Sequence, residues 1–148
     1  MNTLDAFLTY ANAFEETYAD DNWQRLEQYF DTGATYTIVA EQHGCVLEGP
    51  AAILAGMKRS LDNFDRKFDS REIKVGDDLA VDENSLSVSW IAHYTRAGHP
   101  DYDLHGHTRA ELSAGKITAL VDSFTAESEA TLAAWVAETG FEVDPSYV

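Results

Sequence analysis

Hydrophobic and polar positions alternate strictly over much of residues 86–112, and this alternation is the most informative pattern in the chain. In the first run, apolar side chains stand at every second position: Leu86, Val88, Trp90, Ala92 and Tyr94. In the second run, the same face carries smaller residues: Leu104, Gly106, Thr108, Ala110 and Leu112. A period of two is typical of β-strands. The pattern therefore predicts an antiparallel meander, with Asp122 on a third strand, whose apolar face borders a hollow.

Elsewhere a spacing of three to four positions predicts helices. The first spans residues 4–19 with Thr3 as its cap, and Asp21 begins a second, short one. Two more are predicted, one after Pro50 and one over residues 127–138. The remaining segments predict strands at 34–40, 45–47 and 71–82.

The order of these elements is helix, helix, two strands, helix, a four-stranded region and a last helix. Helices that cluster before an antiparallel sheet are typical of an α+β fold. We expect a curved antiparallel or mixed sheet that wraps over the N-terminal helices and forms a cone with an internal pocket. The apolar positions of the tail after Gly140, namely Phe141, Val143 and Tyr147, are expected to pack locally or on a partner.

Composition narrows the class of protein. The 148 residues predict a single domain over 1–148, and 26 acidic against 10 basic residues give a net charge of −16. Such a charge repels phosphates, so neither nucleic acid nor a membrane surface is a predicted partner. A single cysteine, Cys45, and a start without a signal peptide or a membrane span predict a cytoplasmic protein.

Three segments resemble a known superfamily in their order and spacing. They are residues 14–36 (FEETYADDNWQRLEQYFDTGATY), 47–57 (LEGPAAILAGM) and 115–124 (GKITALVDSF). Together they resemble the nuclear transport factor 2-like superfamily, in particular its SnoaL-like branch. The resemblance implies the conical α+β fold, which hosts isomerases, cyclases, dehydratases, epoxide hydrolases and binding proteins. It also implies a homodimer through the outer face of the sheet.

The resemblance to limonene-epoxide-hydrolase-like members implies an Asp–Arg–Asp set, with a Tyr and an Asn that hold the attacking water. Tyr36 matches the Tyr and Asp122 matches the last Asp, whereas Ile38 stands at the Asn position. The Arg and the first Asp fall near Trp90 and Ala92, on a strand whose inner face carries no acid or base. Epoxide hydrolysis is therefore disfavoured.

SnoaL-like cyclases pair a His with an Asp, and the resemblance implies this pair at Thr108 and Asp122, with His107 one residue from the match. A slip of one residue moves a side chain to the other face of a strand. A two-residue turn at Ala114–Gly115 would put Asp122 beside His107. A three-residue hairpin with Gly115 in a left-handed bulge would put Asp122 on the Thr108 face instead. The resemblance favours the second register, and the first stays open.

The predicted catalytic residues are Asp122, Tyr36 and His107. A carboxyl in a largely apolar pocket has a raised pKa, which suits proton transfer, and Tyr36 would orient a ligand oxygen. The alternative is that Asp122 is a hydrogen-bonded carboxylate at the rim. The predicted ligand pocket comprises Tyr18, Trp23, Ile38, Trp90, Tyr94, Thr108, Leu120 and Phe124.

Three histidines share the polar face of the meander: His93, His105 and His107. Three imidazoles can bind zinc or copper, but their spacing follows no metal motif, so an exposed or interfacial surface is expected and no metal is predicted. We expect Trp90 to pair with Thr108 and His93 with His105. A bulge that turns His107 inward would restore a His–Asp pair.

The other charged or reactive residues receive structural interpretations. His43 is expected to be solvated, Cys45 has no positive neighbour that would activate it, and Arg109 is expected to form a surface ion pair with Glu111. A solvated helix end and loop is expected for Asp62, Asp65, Arg66, Lys67 and Asp69.

Two functional hypotheses follow. The first is a protein that binds a small, largely apolar molecule in a conical pocket. The alternative is an enzyme without a cofactor, of isomerase, dehydratase or cyclase type, that uses Asp122 as general acid or base. A structural dimerisation module is a third, weaker interpretation.

Overall fold

The computed structural model describes residues 1–142, so Val143 and Tyr147 lie outside the described residues. Within these residues the fold contains three α-helices, two short 3₁₀ helices and seven strands. The α-helices are α1 (Thr3–Asp20), α2 (Pro50–Asn63) and α3 (Ala126–Thr139), and the 3₁₀ helices are Trp23–Tyr29 and Asp65–Lys67. The strands are β1 (Phe30–Val39), β2 (Cys45–Glu48), β3 (Ser70–Val75), β4 (Ala80–Val81), β5 (Ser85–Thr95), β6 (Tyr102–Ser113) and β7 (Lys116–Ser123).

The strands form one mixed sheet in the order β2-β1-β7-β6-β5-β3, and β4 also pairs with β5. Strands β1 and β7 are parallel, and the other pairs are antiparallel. One core lies between the sheet and the first two α-helices, and includes Tyr10, Leu26 and Ile53. The predicted α+β fold, a curved sheet over helices, is confirmed.

The ends of several elements differ from the prediction. Asn2, not Thr3, caps α1 by accepting a hydrogen bond from the backbone of Asp5. Asp21 adopts a left-handed conformation that ends α1. The predicted strand over 71–82 is two strands, β3 and β4, because the chain leaves the sheet between them.

The pairing of β5 with β6 is shifted by two residues from the prediction. Trp90 lies opposite Gly106, and Val88 lies opposite Thr108. His93 pairs with Asp103 instead of His105. Because a shift of two residues preserves the face of every side chain, the predicted inner and outer faces still hold.

The hairpin between β6 and β7 combines features of both predicted registers. Ala114 and Gly115 form a two-residue turn, and both have positive φ angles. The register then slips by one residue, since Leu112 pairs with Ile117 but Glu111 pairs with Ala119. The extra residue is Thr118 of β7. This bulge, and not a bulge at Gly115, puts Asp122 opposite Thr108.

A second, aromatic cluster lies between β5, β6 and α3. Its buried residues are Phe64, Phe68, Ala92, Tyr94, Tyr102, Trp135 and Phe141. Trp135 Nε1 donates a hydrogen bond to the carbonyl of Pro100 at 3.1 Å, and Phe141 stacks on Phe68 at 4.8 Å between ring centroids. The cluster fixes α3 across one end of the sheet. No helix within residues 1–142 has the length and apolar character that crossing a bilayer requires.

Candidate functional site

Asp122 is held near the C-terminal end of β7 by residues of two neighbouring strands. Its strand neighbours are Ile38 on β1 and Thr108 on β6. Oδ2 accepts a hydrogen bond from the Tyr36 hydroxyl at 2.6 Å, and Oδ1 accepts one from Thr108 Oγ1 at 2.6 Å. Both donors are neutral, so within residues 1–142 no cation forms an ion pair with this carboxyl group.

The direction of the hydrogen bond between Thr108 and Asp122 is fixed by Trp90. Its indole Nε1 can only donate, and it donates to Thr108 Oγ1 at 2.8 Å. The single hydroxyl hydrogen of Thr108 is therefore directed to Asp122 Oδ1. Both carboxyl oxygens of Asp122 therefore accept a hydrogen bond from a hydroxyl group, Oδ1 from Thr108 and Oδ2 from Tyr36.

The Trp90 side chain occupies the space that Gly106 leaves open. A Cβ atom at position 106 would lie 2.3 Å from Trp90 Cζ2, far inside van der Waals contact. The indole also makes an edge contact with Phe124, with 5.9 Å between ring centroids. Trp90 thus fills the space beside Gly106, and it also lines the cavity.

The cavity has a volume of about 320 Å³, within the range of small-molecule sites. Its walls come from α1, α2, α3 and the inner face of the sheet. Most of the lining side chains are apolar or aromatic and include Phe7, Phe14, Ile38, Met57, Leu61, Phe64, Val88, Trp90, Leu104, Leu120 and Phe124. The remaining lining residues are mostly polar or charged, among them Tyr10, Tyr36, Arg71 and Asp122.

Burial raises the pKa of Asp122, and the hydrogen bonds from Thr108 and Tyr36 oppose that rise only in part. The residue keeps some accessible surface because it lines the cavity. Low polarity around the carboxyl group disfavours the anion, so its proton is held more tightly than in water. Such a group can exchange a proton with a ligand oxygen or carbon.

Tyr10 brings a further hydroxyl to this end of the cavity. Tyr10 is buried on α1, and its hydroxyl contacts only the Met57 thioether, at 3.9 Å, among the described residues. A thioether is a weak acceptor. Burial raises the pKa of Tyr10, and the nearby Asp122 raises it further. Its hydroxyl therefore stays protonated and can donate into the cavity.

A second polar cluster reaches the same cavity from β3. Arg71 Nε lies 2.9 Å from Asp65 Oδ2, and the Tyr94 hydroxyl donates to the same oxygen at 2.8 Å. Arg71 Nη1 also pairs with Glu15 of α1 at 2.9 Å. Burial raises the pKa of Asp65, and the Arg71 guanidinium opposes the rise. The expected solvated loop is wrong for Asp65, which is buried.

Most of the predicted pocket residues line the cavity. They are Ile38, Trp90, Tyr94, Thr108, Leu120 and Phe124, and the predicted catalytic residues Tyr36 and Asp122 line it as well. Tyr18 and Trp23 do not line it. The Tyr18 ring stacks on the Arg71 guanidinium, with 4.9 Å between the ring centroid and Cζ, and Trp23 Nε1 donates a hydrogen bond to Asp21 Oδ1. Trp23 packs against the main core instead, and its ring makes a T-shaped contact with Phe14, with 6.1 Å between ring centroids.

His107 lies on the outer face of the sheet, away from the cavity. It is opposite Ser89 on β5 and Ser123 on β7. The bulge at Thr118 places Asp122 on the inner face and leaves His107 on the outer one. The structure therefore does not bring His107 and Asp122 together across the cavity.

The three histidines of the outer face, His93, His105 and His107, do not contact one another within the described residues. His93 lies between Asp101 and Asp103, and the Asp103 hydrogen bond raises its pKa. His105 is exposed. Among residues 1–142, no three His, Cys, Asp or Glu side chains form a group that could hold a metal ion. Arg109 lies 3.5 Å from Glu111, the surface contact that was expected.

Some lining residues were not identified from the sequence. Tyr10 belongs to the apolar stripe of α1, where its hydroxyl gives no signal in the sequence. Asp65 and Arg71 lie near opposite ends of the loop between α2 and β3, a charged segment typical of a surface. His43, expected to be solvated, is exposed yet also borders the cavity.

Comparison with known proteins identifies the domain. The sequence model of the SnoaL-like domain matches residues 11–120, which is most of the chain. No curated protein matches the sequence.

Solved structures with the same fold differ strongly from the chain in sequence. A putative SnoaL-like polyketide cyclase from Shewanella denitrificans OS-217 has a TM-score of 0.62 at 12% identity, over 88% of this chain and 96% of that chain. An LEH-like epoxide hydrolase from M. tuberculosis has a TM-score of 0.62 at 13% identity, over 90% of this chain and 93% of that chain. A third similar structure is a hypothetical protein with a ketosteroid isomerase-like fold from Catenulispora acidiphila DSM 44928, in complex with trimethylamine. It has a TM-score of 0.61 at 14% identity, over 90% of this chain and 93% of that chain. These similarities show the fold alone.

Proposed function

Because the chain belongs to the SnoaL-like domain family, we propose that it binds a small, mainly apolar molecule whose oxygen atom contacts Asp122. One observation carries the proposal: a single carboxyl group with only hydroxyl partners lines an apolar cavity of about 320 Å³. Apolar walls with a few convergent polar groups are typical of small-molecule sites. At the Asp122 end of the cavity, Asp122 and the hydroxyl groups of Tyr36 and Tyr10 supply such polar groups.

Isothermal titration with 2-tetralone, coumarin and 4-phenylphenol tests binding with a ketone, a lactone and a phenol. We expect at least one of them to bind, and Asp122→Leu to weaken that binding about 10-fold, because Leu cannot form the hydrogen bond to the ligand. Glu111→Leu is the matched control, since Glu111 is an exposed acid on the outer face of β6. No binding of any probe, or unchanged binding by Asp122→Leu, would contradict the proposal.

Proton transfer by Asp122 is the second candidate function, and the raised pKa of this carboxyl group supports it. An ionised Oδ2 would take a proton from a carbon next to a substrate carbonyl, and the bond electrons would form the enolate. The neutral carboxyl would then return a proton to a carbon of the same substrate. The substrate composition is unchanged, as in an isomerisation. Once Oδ2 carries the proton, the Tyr36 hydroxyl hydrogen would turn from Oδ2 to the enolate oxygen and donate to it.

Deuterium exchange separates this candidate from binding alone. In D₂O, NMR follows the loss of the hydrogens next to the carbonyl of 2-tetralone. Catalysis predicts exchange at least about 100-fold faster with wild type than with Asp122→Asn, the usual contribution of a general base. Glu111→Gln should exchange like wild type. Equal rates for wild type and Asp122→Asn would leave binding as the function.

A further inference from the structure

The cavity has a second polar end, formed by Arg71 with Asp65, Glu15 and Tyr94. All four residues line the cavity, and the Arg71 side chain is only 8% exposed. Arg71 Nε binds Asp65 and Nη1 binds both carboxylate oxygens of Glu15, at 2.9 and 3.2 Å. Within the described part of the chain, Nη2 has no carboxylate partner, although the guanidinium also donates a hydrogen bond to the Tyr94 hydroxyl. A buried guanidinium therefore keeps donor capacity at the edge of an apolar cavity.

The two polar ends are separated along β5. Arg71 lies opposite Tyr94, whereas Thr108, the partner of Asp122, lies opposite Val88. Six residues of extended strand separate the backbone positions of Val88 and Tyr94 by about 20 Å. The residues between them that face the cavity are Trp90 and Ala92, which are apolar apart from the indole N–H. On the β5 side, the wall of the cavity between the two polar ends is thus mainly apolar.

The charges at the Arg71 end favour a neutral ligand group. Two carboxyl groups, Asp65 and Glu15, already contact the single guanidinium. A ligand carboxylate would add a third negative group and would be repelled unless Glu15 moved away. A carbonyl, hydroxyl or ether oxygen can instead accept a hydrogen bond from Arg71 without displacing either acid. Bonds from a charged donor are stronger than those between neutral groups.

We infer that Arg71 forms a second subsite, which binds a neutral oxygen at the end of the ligand opposite to the oxygen at Asp122. The ligand class is then an elongated apolar molecule with an oxygen function at each end. Asp65 and Tyr94 act as positioning residues, since they hold the guanidinium through Nε and through the shared carboxylate. This inference rests on the proposed function, because it requires that the cavity binds a small molecule.

Three biphenyl probes test the inference by titration calorimetry: 4-phenylphenol, 4,4′-dihydroxybiphenyl and 4′-hydroxybiphenyl-4-carboxylate. They differ only in the group at the second end: none, a neutral oxygen or an anion. We expect the dihydroxy probe to bind about 10-fold more tightly than 4-phenylphenol, the typical gain from one hydrogen bond to a charged group. The carboxylate probe should bind more weakly than the dihydroxy probe.

Two variants assign these differences to the Arg71 end. In the double variant Asp65→Asn with Arg71→Met, the ratio between the dihydroxy and the monohydroxy probe should fall to about one. The two residues are changed together so that no charge stays buried without a partner. In Glu15→Gln, which keeps Arg71, affinity for the carboxylate probe should rise relative to the dihydroxy probe. Thermal melting of each variant checks that it is folded.

The outcomes separate the inference from the proposed function. If 4-phenylphenol and the dihydroxy probe bind wild type equally, or if the double variant keeps their ratio, the second subsite is wrong and binding at Asp122 stands. Tightest binding of the carboxylate probe to wild type would contradict the assignment of a neutral oxygen. If none of the three probes binds, both the inference and the proposed function fail for aromatic ligands.

Discussion

Two aspartates face one cavity, and their partners differ in charge. Asp122 accepts hydrogen bonds from the hydroxyl groups of Thr108 and Tyr36. Asp65 accepts one from the Tyr94 hydroxyl and forms an ion pair with Arg71. Burial raises the pKa of both carboxyl groups. The same residue type in the same cavity is thus placed in two different electrostatic environments.

The difference separates a group that can exchange a proton from one that fixes a charge. Neutral donors stabilise the anion only modestly, so Asp122 holds its proton more tightly than in water, which brings its pKa closer to that of a group that transfers protons near neutral pH. At Asp65 the permanent positive charge of Arg71 stabilises the carboxylate. If either residue were removed, the other would be a buried charge without a partner. We therefore assign the chemistry to the Asp122 end and the rigid positioning to the Arg71 end.

The largest predicted effect is the loss of the charge at the Arg71 end. Arg71→Met should lower the free energy of unfolding by about 3–5 kcal/mol, because Asp65 stays buried without its counter-charge. Urea denaturation at pH 7 measures the change. Lys74→Met, on the same strand but exposed, is the control and should change stability little. A loss below about 1 kcal/mol would mean that the Asp65–Arg71 pair is not the fixed charge pair described above.

Gly106→Ala should have the next largest effect, at the Asp122 end. The new methyl group would displace the Trp90 indole and break its hydrogen bond to Thr108, at a cost of about 3 kcal/mol. Gly33→Ala is the control, since its Cβ would meet Asp31 Oδ2 at an ordinary 3.5 Å. Denaturation and the emission wavelength of the tryptophans report the result. Equal stability of the two variants would show that Trp90 repacks freely.

Thr108→Val should cost about 2 kcal/mol. It preserves shape but leaves Trp90 Nε1 and Asp122 Oδ1 without their shared hydroxyl partner. Thr37→Val on β1, at a part-exposed site, serves as its control. Urea denaturation of the two variants gives the comparison. If Thr108→Val is no less stable than Thr37→Val, the relay through Thr108 does not hold the carboxyl group.

The smallest predicted effect is a pH dependence that distinguishes Asp122 from its amide. A carboxyl group whose folded pKa is raised favours folding below its unfolded pKa, near 4, and loses that contribution as pH rises through its folded pKa. Relative to Asp122→Asn, wild type should therefore become less stable as pH increases above about 4. Unfolding curves of both proteins across that interval measure the difference. A difference that stays constant or changes in the opposite direction would contradict the raised pKa.

The fold followed from the sequence more fully than the site did. The alternation of apolar and polar residues reports which face of a strand is buried and does not depend on the pairing partner. The faces of β5 and β6 were therefore predicted correctly, although their pairing was off by two residues. The face of Asp122 depended on the one-residue bulge at Thr118, which has no glycine and gives no signal in the sequence. The choice of the correct face came from the family resemblance.

The Arg71 end was missed for a different reason. Asp65 and Arg71 occur among other charged residues, and their burial depends on how the loop between α2 and β3 folds over Tyr94. Long-range packing of this kind leaves no local pattern. His107 was misplaced for the opposite reason, since it is adjacent in sequence to the family match but faces outward. The homodimer through the outer sheet face stays a prediction.

The central claim is that Asp122 is a carboxyl group with a raised pKa that meets the ligand inside the cavity. A ¹³C NMR titration of the Asp122 carboxyl carbon, assigned by its absence in Asp122→Asn, tests it directly with and without 4-phenylphenol. We predict a titration midpoint above the ordinary aspartate value of about 3.9, and a change of that midpoint when the probe is added. A midpoint at or below 3.9 that the probe does not change would contradict the claim.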